Sequence, residues 1–411
     1  MASVIKRSPA LVIAVFLTGV ALLLISACGS NDPTSTASPP PGEGSASPTA
    51  TPTPTPTVET TVPPKAEGPL AAELVGTQEW INSAPLKIED LRGQVVLIDF
   101  WTYTCVNCIR TFPFLKIWHS KYADDGLVII GVHTPEFQFE HDLQNVQQAV
   151  MDYGIGWPVV QDNVYKTWRA YNNRYWPSKY LIDKDGIVRY EHFGEGGYDE
   201  TERRIRDLLE EAGADLTTVE PLFASNQKLD FTYQNTIGAE ITAELYGGYE
   251  RSCGLYSLYA NSSVANPEYC KSKDVVALYE DSGERKTHRL YLQGSWLVEE
   301  ESLRHGAETS NFEDYMLLRF AAKSVNVVLT PEEAEPFKVL VTLDGEYLNE
   351  FNKGEDVVIE KDGRSFLVVD KPRLYAVVEA PVYGTYDLKL SSNSTDFAFY
   401  AFTFGVYGEG I

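Results

Sequence analysis

The chain has 411 residues, 44% of them hydrophobic, and sets 34 Lys and Arg against 58 Asp and Glu for a formal charge of −24. Domains run about 100 to 200 residues, so this length and apolar content predict two globular cores plus extensions. The acidity excludes nucleic acid and electrostatic docking to anionic lipid as partners, because both need basic patches.

At the amino terminus Lys6 and Arg7 precede an apolar run from Ala10 to Ala27, the pattern of an export signal over residues 1–27. The run ends in Ile25, Ser26, Ala27 and Cys28, which resembles the lipobox of bacterial lipoproteins; in that family the cysteine, here Cys28, becomes the lipidated first residue. An uncleaved anchor is the other reading, since the run nears the roughly 20 residues that span a bilayer. Either reading places the chain outside the cytoplasm, tethered to the bacterial cell membrane. Residues 28–69 are Ser, Thr, Pro and Gly with almost no large apolar side chains. Such a segment cannot offset its ordering entropy by burial and is expected to be a disordered spacer.

Removing Cys28 leaves Cys105, Cys108, Cys253 and Cys270, an even number in an oxidising compartment, which implies two pairs. The first pair follows "VVLIDFW", Val95 to Trp101, a β-branched and aromatic run of the kind that fills a strand covered on both faces. Asp99 is anomalous there. A carboxylate in such a strand loses solvation and costs stability unless a partner or a task retains it; a strand-end Asp bonded to a backbone amide is the plainer alternative. Cys105 falls at the start of the next helix, where free amides and the helix dipole stabilise a thiolate, and Cys108 lies one turn further in. Zinc normally needs a second ligand pair at suitable spacing, and Cys253 and Cys270 stand far downstream, so no metal is expected.

Asp99 six residues before Cys105, Trp101 in "DFW", the Cys105–Cys108 CxxC and Pro113 five after the second cysteine fall together at the spacings of the thioredoxin superfamily, which the segment resembles. Downstream, residues 127–134 read as a strand, 140–154 as a helix, and "WPVVQD" leads to a third strand. Pro177 is followed by two strands joined at Lys184, Asp185 and Gly186, and 198–213 reads as an amphipathic helix stopped by Gly213. The resemblance implies a thioredoxin-like α/β domain over residues 70–217, a cis peptide bond before Pro177, and a substrate groove formed by Trp176, Pro177 and Trp101.

The extra helix and the opening "PLKIEDLRGQVVLIDFW" resemble the TlpA and ResA branch, although Thr104 replaces a Trp beside the first cysteine and Val106 with Asn107 is an unusual pair between the two. "WTYTCVNCIRT", "GVHTPEF" and "RYWPSKYLID" resemble DipZ proteins, in which a TlpA-like domain is followed by a β-sandwich similar to a carbohydrate-binding module. From Pro221 the sequence breaks into short alternating segments with turn signals, as an all-β domain does. We therefore expect a jelly-roll-like sandwich over residues 218–411, with sugar binding as an open question for its many tyrosines. Cys253 and Cys270 enclose sixteen residues and read as a structural disulfide, with electron exchange toward the CxxC as the alternative.

These residues predict a thiol-disulfide oxidoreductase with no cofactor beyond its own cysteines: Cys105 attacks, Cys108 resolves, Asp99 takes a proton. Its partners would be exported protein thiols and disulfides. DipZ proteins also carry a CcdA-like membrane domain that passes electrons outward, and no such multi-helix segment stands in this sequence. As a reductase the chain would draw electrons from a separate CcdA- or DsbD-like membrane protein. Two other classes compete. One is a thiol peroxidase, from the TxxC of Thr102 to Cys105 seen in peroxiredoxins; the other is a glycan-binding surface lipoprotein with a secondary redox role.

Overall fold

The computed structural model describes residues 68–222, 240–253, 263–331 and 335–405. The expected leader, Cys28 and nearly all of the spacer lie outside these residues. Among the described residues no helix is long and apolar enough to cross a membrane.

The first domain holds β1 (Trp80–Ile81), β2 (Val95–Trp101), α1 (Val106–Tyr122), β3 (Leu127–His133), α2 (Leu143–Asp152), β4 (Val159–Gln161), α3 (Lys166–Ala170), β5 (Ser178–Ile182), β6 (Val188–Phe193) and α4 (Tyr198–Glu211). Its six strands lie in the order β1-β4-β3-β2-β5-β6. β2 pairs parallel with β3 and antiparallel with β5, so it runs through the middle of the sheet, and all seven of its residues are buried. Alternation sends Val95, Leu97 and Trp101 into a core shared with α1 and α4, and Val96, Ile98 and Phe100 into a second core with Trp168, Tyr171 and Tyr180. The same period aims Asp99 at the α1 side.

The punctuation follows the chain chemistry. Gly186 turns the β5–β6 hairpin at φ +79° and Gly213 follows α4 at φ +100°, a left-handed conformation that glycine adopts without strain. The Trp176–Pro177 bond is cis, as expected. α3 was not legible in the sequence. It forms because Asp162 accepts hydrogen bonds from the backbone amides of Lys166, Thr167 and Trp168 at 2.8, 3.2 and 2.7 Å, satisfying the free donors of its first turn.

The second domain comprises β7 (Leu245–Tyr246), α5 (Tyr249–Ser252), β8 (Val276–Tyr279), β9 (Arg289–Val298), β10 (Leu303–His305), β11 (Tyr315–Pro331), β12 (Phe337–Leu343), β13 (Glu346–Tyr347), β14 (Val357–Ile359), β15 (Ser365–Val369), β16 (Arg373–Ser392) and β17 (Phe397–Gly405). Among the described residues it is all-β apart from short helical turns, and these eleven strands form one hydrogen-bonded network. The link is made by β11, whose first half pairs with β9 and whose second half pairs with β17 while β16 runs beside both. Met316, Leu318, Phe320 and Ala322 face the core on even numbers; register shifts after Ala322 and Val325 hand the inward positions to Val325, Val327 and Leu329. A bulge adds one residue and re-aims the strand, so a single long strand lines one core along its whole length. β16 likewise joins stretches that the sequence presents as separate segments.

The two domains meet at Phe137, Val328 and Ala401, with Phe139, Tyr246 and Tyr400 packed around them. Polar ties flank this cluster: the Gln138 amide donates to Glu301 at 2.8 Å, and Lys371 pairs with Asp152 at 2.6 Å.

Candidate active site

Cys105 is the N-cap of α1, and its sulfur accepts from the Cys108 backbone amide at 3.4 Å. Both cysteines are free thiols. Cys105 is partly exposed, whereas Cys108 is 1% exposed beneath it. Burial pushes the Cys108 thiol well above its ordinary range, and the neighbouring Cys105 adds to the shift. The two sulfurs are thus unequal: one meets solvent at the head of a helix, and the other gives up its proton only if a base receives it.

A buried carboxylate on the same side of the sheet is positioned by strand register. Asp99 on β2 stands opposite Lys179 on β5, both buried on the α1 side. Asp99 Oδ1 and Lys179 Nζ make no hydrogen bond to any other protein group. Burial raises the Asp99 carboxyl to about 7, and the positive charge of Lys179 opposes that rise. Burial lowers the Lys179 ammonium in turn, against the pull of Asp99 and Cys108. Lys179 Nζ also lies 5.9 Å from the Tyr198 ring centroid, and Glu195, ion-paired with Arg110 at 3.6 Å, adds a weaker attraction. Burying two ionisable groups with Asp99 Oδ1 and Lys179 Nζ unbonded is costly to the fold, and such groups concentrate at functional sites.

Lys179 is the residue that sequence reasoning missed. Its signal was present: "SKYLI" is a fully buried strand run with one charge in it, the same anomaly that singled out Asp99.

A second buried carboxylate flanks Cys105. Glu140 accepts from the Thr104 hydroxyl at 2.7 Å, from the Phe137 amide at 3.0 Å and from the Glu136 amide, and burial raises it to about 7. This clasps the 136–140 segment onto Thr104, the residue before Cys105, through a hydrogen bond that the Thr104 hydroxyl supplies. Beside it His133 is fully buried and held down to about 3 by desolvation, so it is neutral at physiological pH, with Tyr103 stacked on its ring.

Cys105 opens into a groove of about 390 Å³ whose walls come from both domains. The first domain supplies Val106, Asn107, Glu136, Arg174, Tyr175 and Trp176; the second supplies Thr242, Glu244, Tyr246, Arg251, Thr403 and Phe404. Trp176 holds its place by donating from its indole nitrogen to the Thr134 carbonyl at 3.0 Å. Pro177 is buried behind it. The expectation for Trp101 needs correction. As the last inward residue of β2 it is 1% exposed and packs edge-on against Phe112 and His133, so it belongs to the core below the groove rather than to its lining. The second wall was invisible to sequence reasoning, because nothing local in "LYGGYERS" reveals that Tyr246 and Arg251 reach across to Glu136. Cys253 and Cys270 are joined in a disulfide, directly after the α5 turn that carries Arg251.

Residues 72–191 match the AhpC/TSA family, and residues 242–405 match the family described as Thioredoxin like C-terminal domain. Protein DipZ of Mycobacterium bovis is 43% identical over 181 residues, 43% of this chain and 25% of that protein. The chain thus spans a quarter of the length of that relative. Thiol-disulfide oxidoreductase YkuV of Bacillus subtilis is 27% identical over 34% of this chain and 93% of its own. Among solved structures, a thioredoxin-like superfamily protein is 30% identical over 36% of this chain and 99% of its own, with a TM-score of 0.33. The first domain is thus similar to TlpA- and ResA-like redoxin domains of the thioredoxin superfamily, and it is joined to the all-β domain matched at residues 242–405.

Proposed function

We propose that this chain is a membrane-tethered, extracytoplasmic thiol-disulfide oxidoreductase that reduces disulfides of exported proteins. The observation that carries the reading is the exposed Cys105 over a buried, high-pKa Cys108 with the Asp99 and Lys179 pair beside it. The Cys105 thiolate attacks one sulfur of a substrate disulfide, and the other substrate sulfur leaves as a thiolate that takes up a proton. Cys108 then passes its proton to Asp99 and attacks Cys105. The mixed disulfide breaks, the second substrate sulfur leaves, and two electrons have moved from the protein dithiol to the substrate. A carboxyl that titrates near 7 is about half ionised at neutral pH, so Asp99 can both accept that proton and return it. Lys179 keeps Asp99 within this range by opposing the effect of burial. The oxidised protein then needs a dithiol donor, for which a CcdA- or DsbD-like membrane protein is the proposed source. The lipid anchor at Cys28 would hold the chain beside that donor. The pairing of Cys253 with Cys270 leaves Cys105 and Cys108 to carry the exchange.

The test is trapping. Cys108→Ser should accumulate a mixed disulfide between Cys105 and a substrate cysteine, while Cys105→Ser accumulates none. Trapping through Cys108, or in neither variant, would overturn the reading. The AhpC/TSA match keeps a peroxidase in view, but the Thr102 hydroxyl that such chemistry would use is buried 3.4 Å from His133 Nε2. Reduced protein is therefore expected to leave hydrogen peroxide unconsumed. The second domain's proposed sugar binding is tested by retention of the full chain on polysaccharide.

A further inference from the structure

We propose that the groove between the domains admits a disulfide carried on a single extended polypeptide segment and excludes cystines set in the face of a folded protein. This deepens the oxidoreductase reading and rests on it. Cys105 lines a space that is walled on its far side by Tyr246, Thr403 and Phe404 of the second domain, so a disulfide approaching through it meets the sulfur between two walls. Its volume of about 390 Å³ lies toward the lower end of the roughly 300 to 1,000 Å³ typical of small-ligand sites. A folded partner would instead need an open patch, on the order of several hundred Å² a side even for a transient redox encounter.

The wall is fixed rather than loosely tethered. The Arg251 guanidinium is paired with the Glu136 carboxylate and stacks 4.4 Å from the Tyr246 ring centroid. The Tyr246 hydroxyl donates to Glu244 at 2.6 Å and lies 3.1 Å from the Glu136 carboxylate, and Phe137, the residue after Glu136, is buried against Val328 and Ala401. The ion pair lies in the groove wall, with Glu136 mostly buried and Arg251 partly exposed, and the apolar contact is made by the residue next to Glu136, so opening the wall far enough for a folded surface would break both together. The rings of Trp176, Tyr175, Tyr246 and Phe404 offer apolar faces on both sides of the cysteine, which suits the side chains that flank a cystine in an extended strand.

The test compares one cystine in two settings, using the pre-reduced full chain in single turnover. The first substrate is a small protein with a solvent-exposed cystine, kept folded; the second is the peptide excised from it that contains the same cystine. Each rate is divided by that substrate's rate with dithiothreitol, which removes differences in intrinsic reactivity. The peptide should be favoured at least tenfold on this ratio. Arg174→Trp, at an exposed position of the groove lining, should narrow the groove and raise the peptide concentration at half-maximal single-turnover rate several-fold with little change in the limiting rate. Equal normalised rates for the two substrates, or an Arg174→Trp variant with unchanged concentration dependence, would overturn the proposal while leaving the oxidoreductase reading intact. Reduction of neither substrate would overturn both.

Discussion

Replacing Asp99 with Asn should make the protein slower and should abolish the loss of stability that the wild type shows as pH rises toward neutrality. Asp99 titrates near 7 in the folded state, against an ordinary carboxylate value near 4 in the unfolded chain. Between those values the folded state binds more proton than the unfolded one, so stability falls as pH rises and levels off above the folded value. From pH 5.5 to pH 7 the loss is about 1.5 pH units at roughly 1.4 kcal/mol each, or about 2 kcal/mol, with little further change to pH 8.5. Asn cannot titrate, so this slope should vanish in the variant. Any fixed cost of burying its amide is the same at every pH and cancels in the comparison. Lys179, deprived of its counter-charge, is lowered further, and its easier deprotonation adds stability with rising pH, in the same direction. The assay is urea unfolding of both proteins at pH 5.5, 7 and 8.5, paired with single-turnover disulfide reduction at pH 7. The account expects the curves to diverge by about 2 kcal/mol and the rate to fall by roughly a hundredfold, the scale of a lost general base. Parallel stability curves, or an unchanged rate, would refute the assignment of Asp99 as a buried proton carrier.

Three further outcomes follow from the same geometry. Lys179→Met removes the charge that restrains Asp99, so the midpoint of the pH–rate profile should move upward by about one unit; an unmoved midpoint would show that the lysine does not act on that carboxyl. Replacing Cys253 and Cys270 together with Ala should cost roughly 3 kcal/mol in urea unfolding, while the Cys105–Cys108 potential stays unchanged; a shifted potential would revive electron exchange between the two pairs. Phe137→Ala should cost about 3 kcal/mol, because it empties the apolar contact between the domains; a negligible loss would mean that the second wall of the groove is not held by that contact.

The first domain could be read from its residues because its signals are local. "VVLIDFW" declares a central strand by composition, Cys105 and Cys108 sit at a helix start, and Gly186 and Gly213 mark turns at fixed offsets. The Asp99 and Lys179 pair was half legible. Each is a charge stranded in an apolar run, but their meeting depends on the antiparallel register of β2 with β5, which no local pattern encodes. The placement of Trp101 failed for a related reason: alternation gives its face of the sheet, whereas helix α1 decides whether that face is open. The second domain announced its class through short alternating segments, yet β11 and β16 are long because bulges keep their inward faces aligned, and bulges leave little trace in composition. The groove wall was the least legible feature. Glu136 and Arg251 are 115 residues apart in sequence, and only the packing of Phe137 on Val328 and Ala401 brings them together.

The measurement that tests the central claim most directly is the reduction potential of the Cys105 and Cys108 pair. It is obtained by equilibrating the protein in dithiothreitol buffers of graded ratio and trapping free thiols. The account predicts a value near that of thioredoxin, about −270 mV, at which the dithiol reduces substrate disulfides and must be recharged by a donor. A value near −120 mV, in the range of DsbA, would make the pair an oxidant that inserts disulfides and would contradict the proposed direction of electron flow.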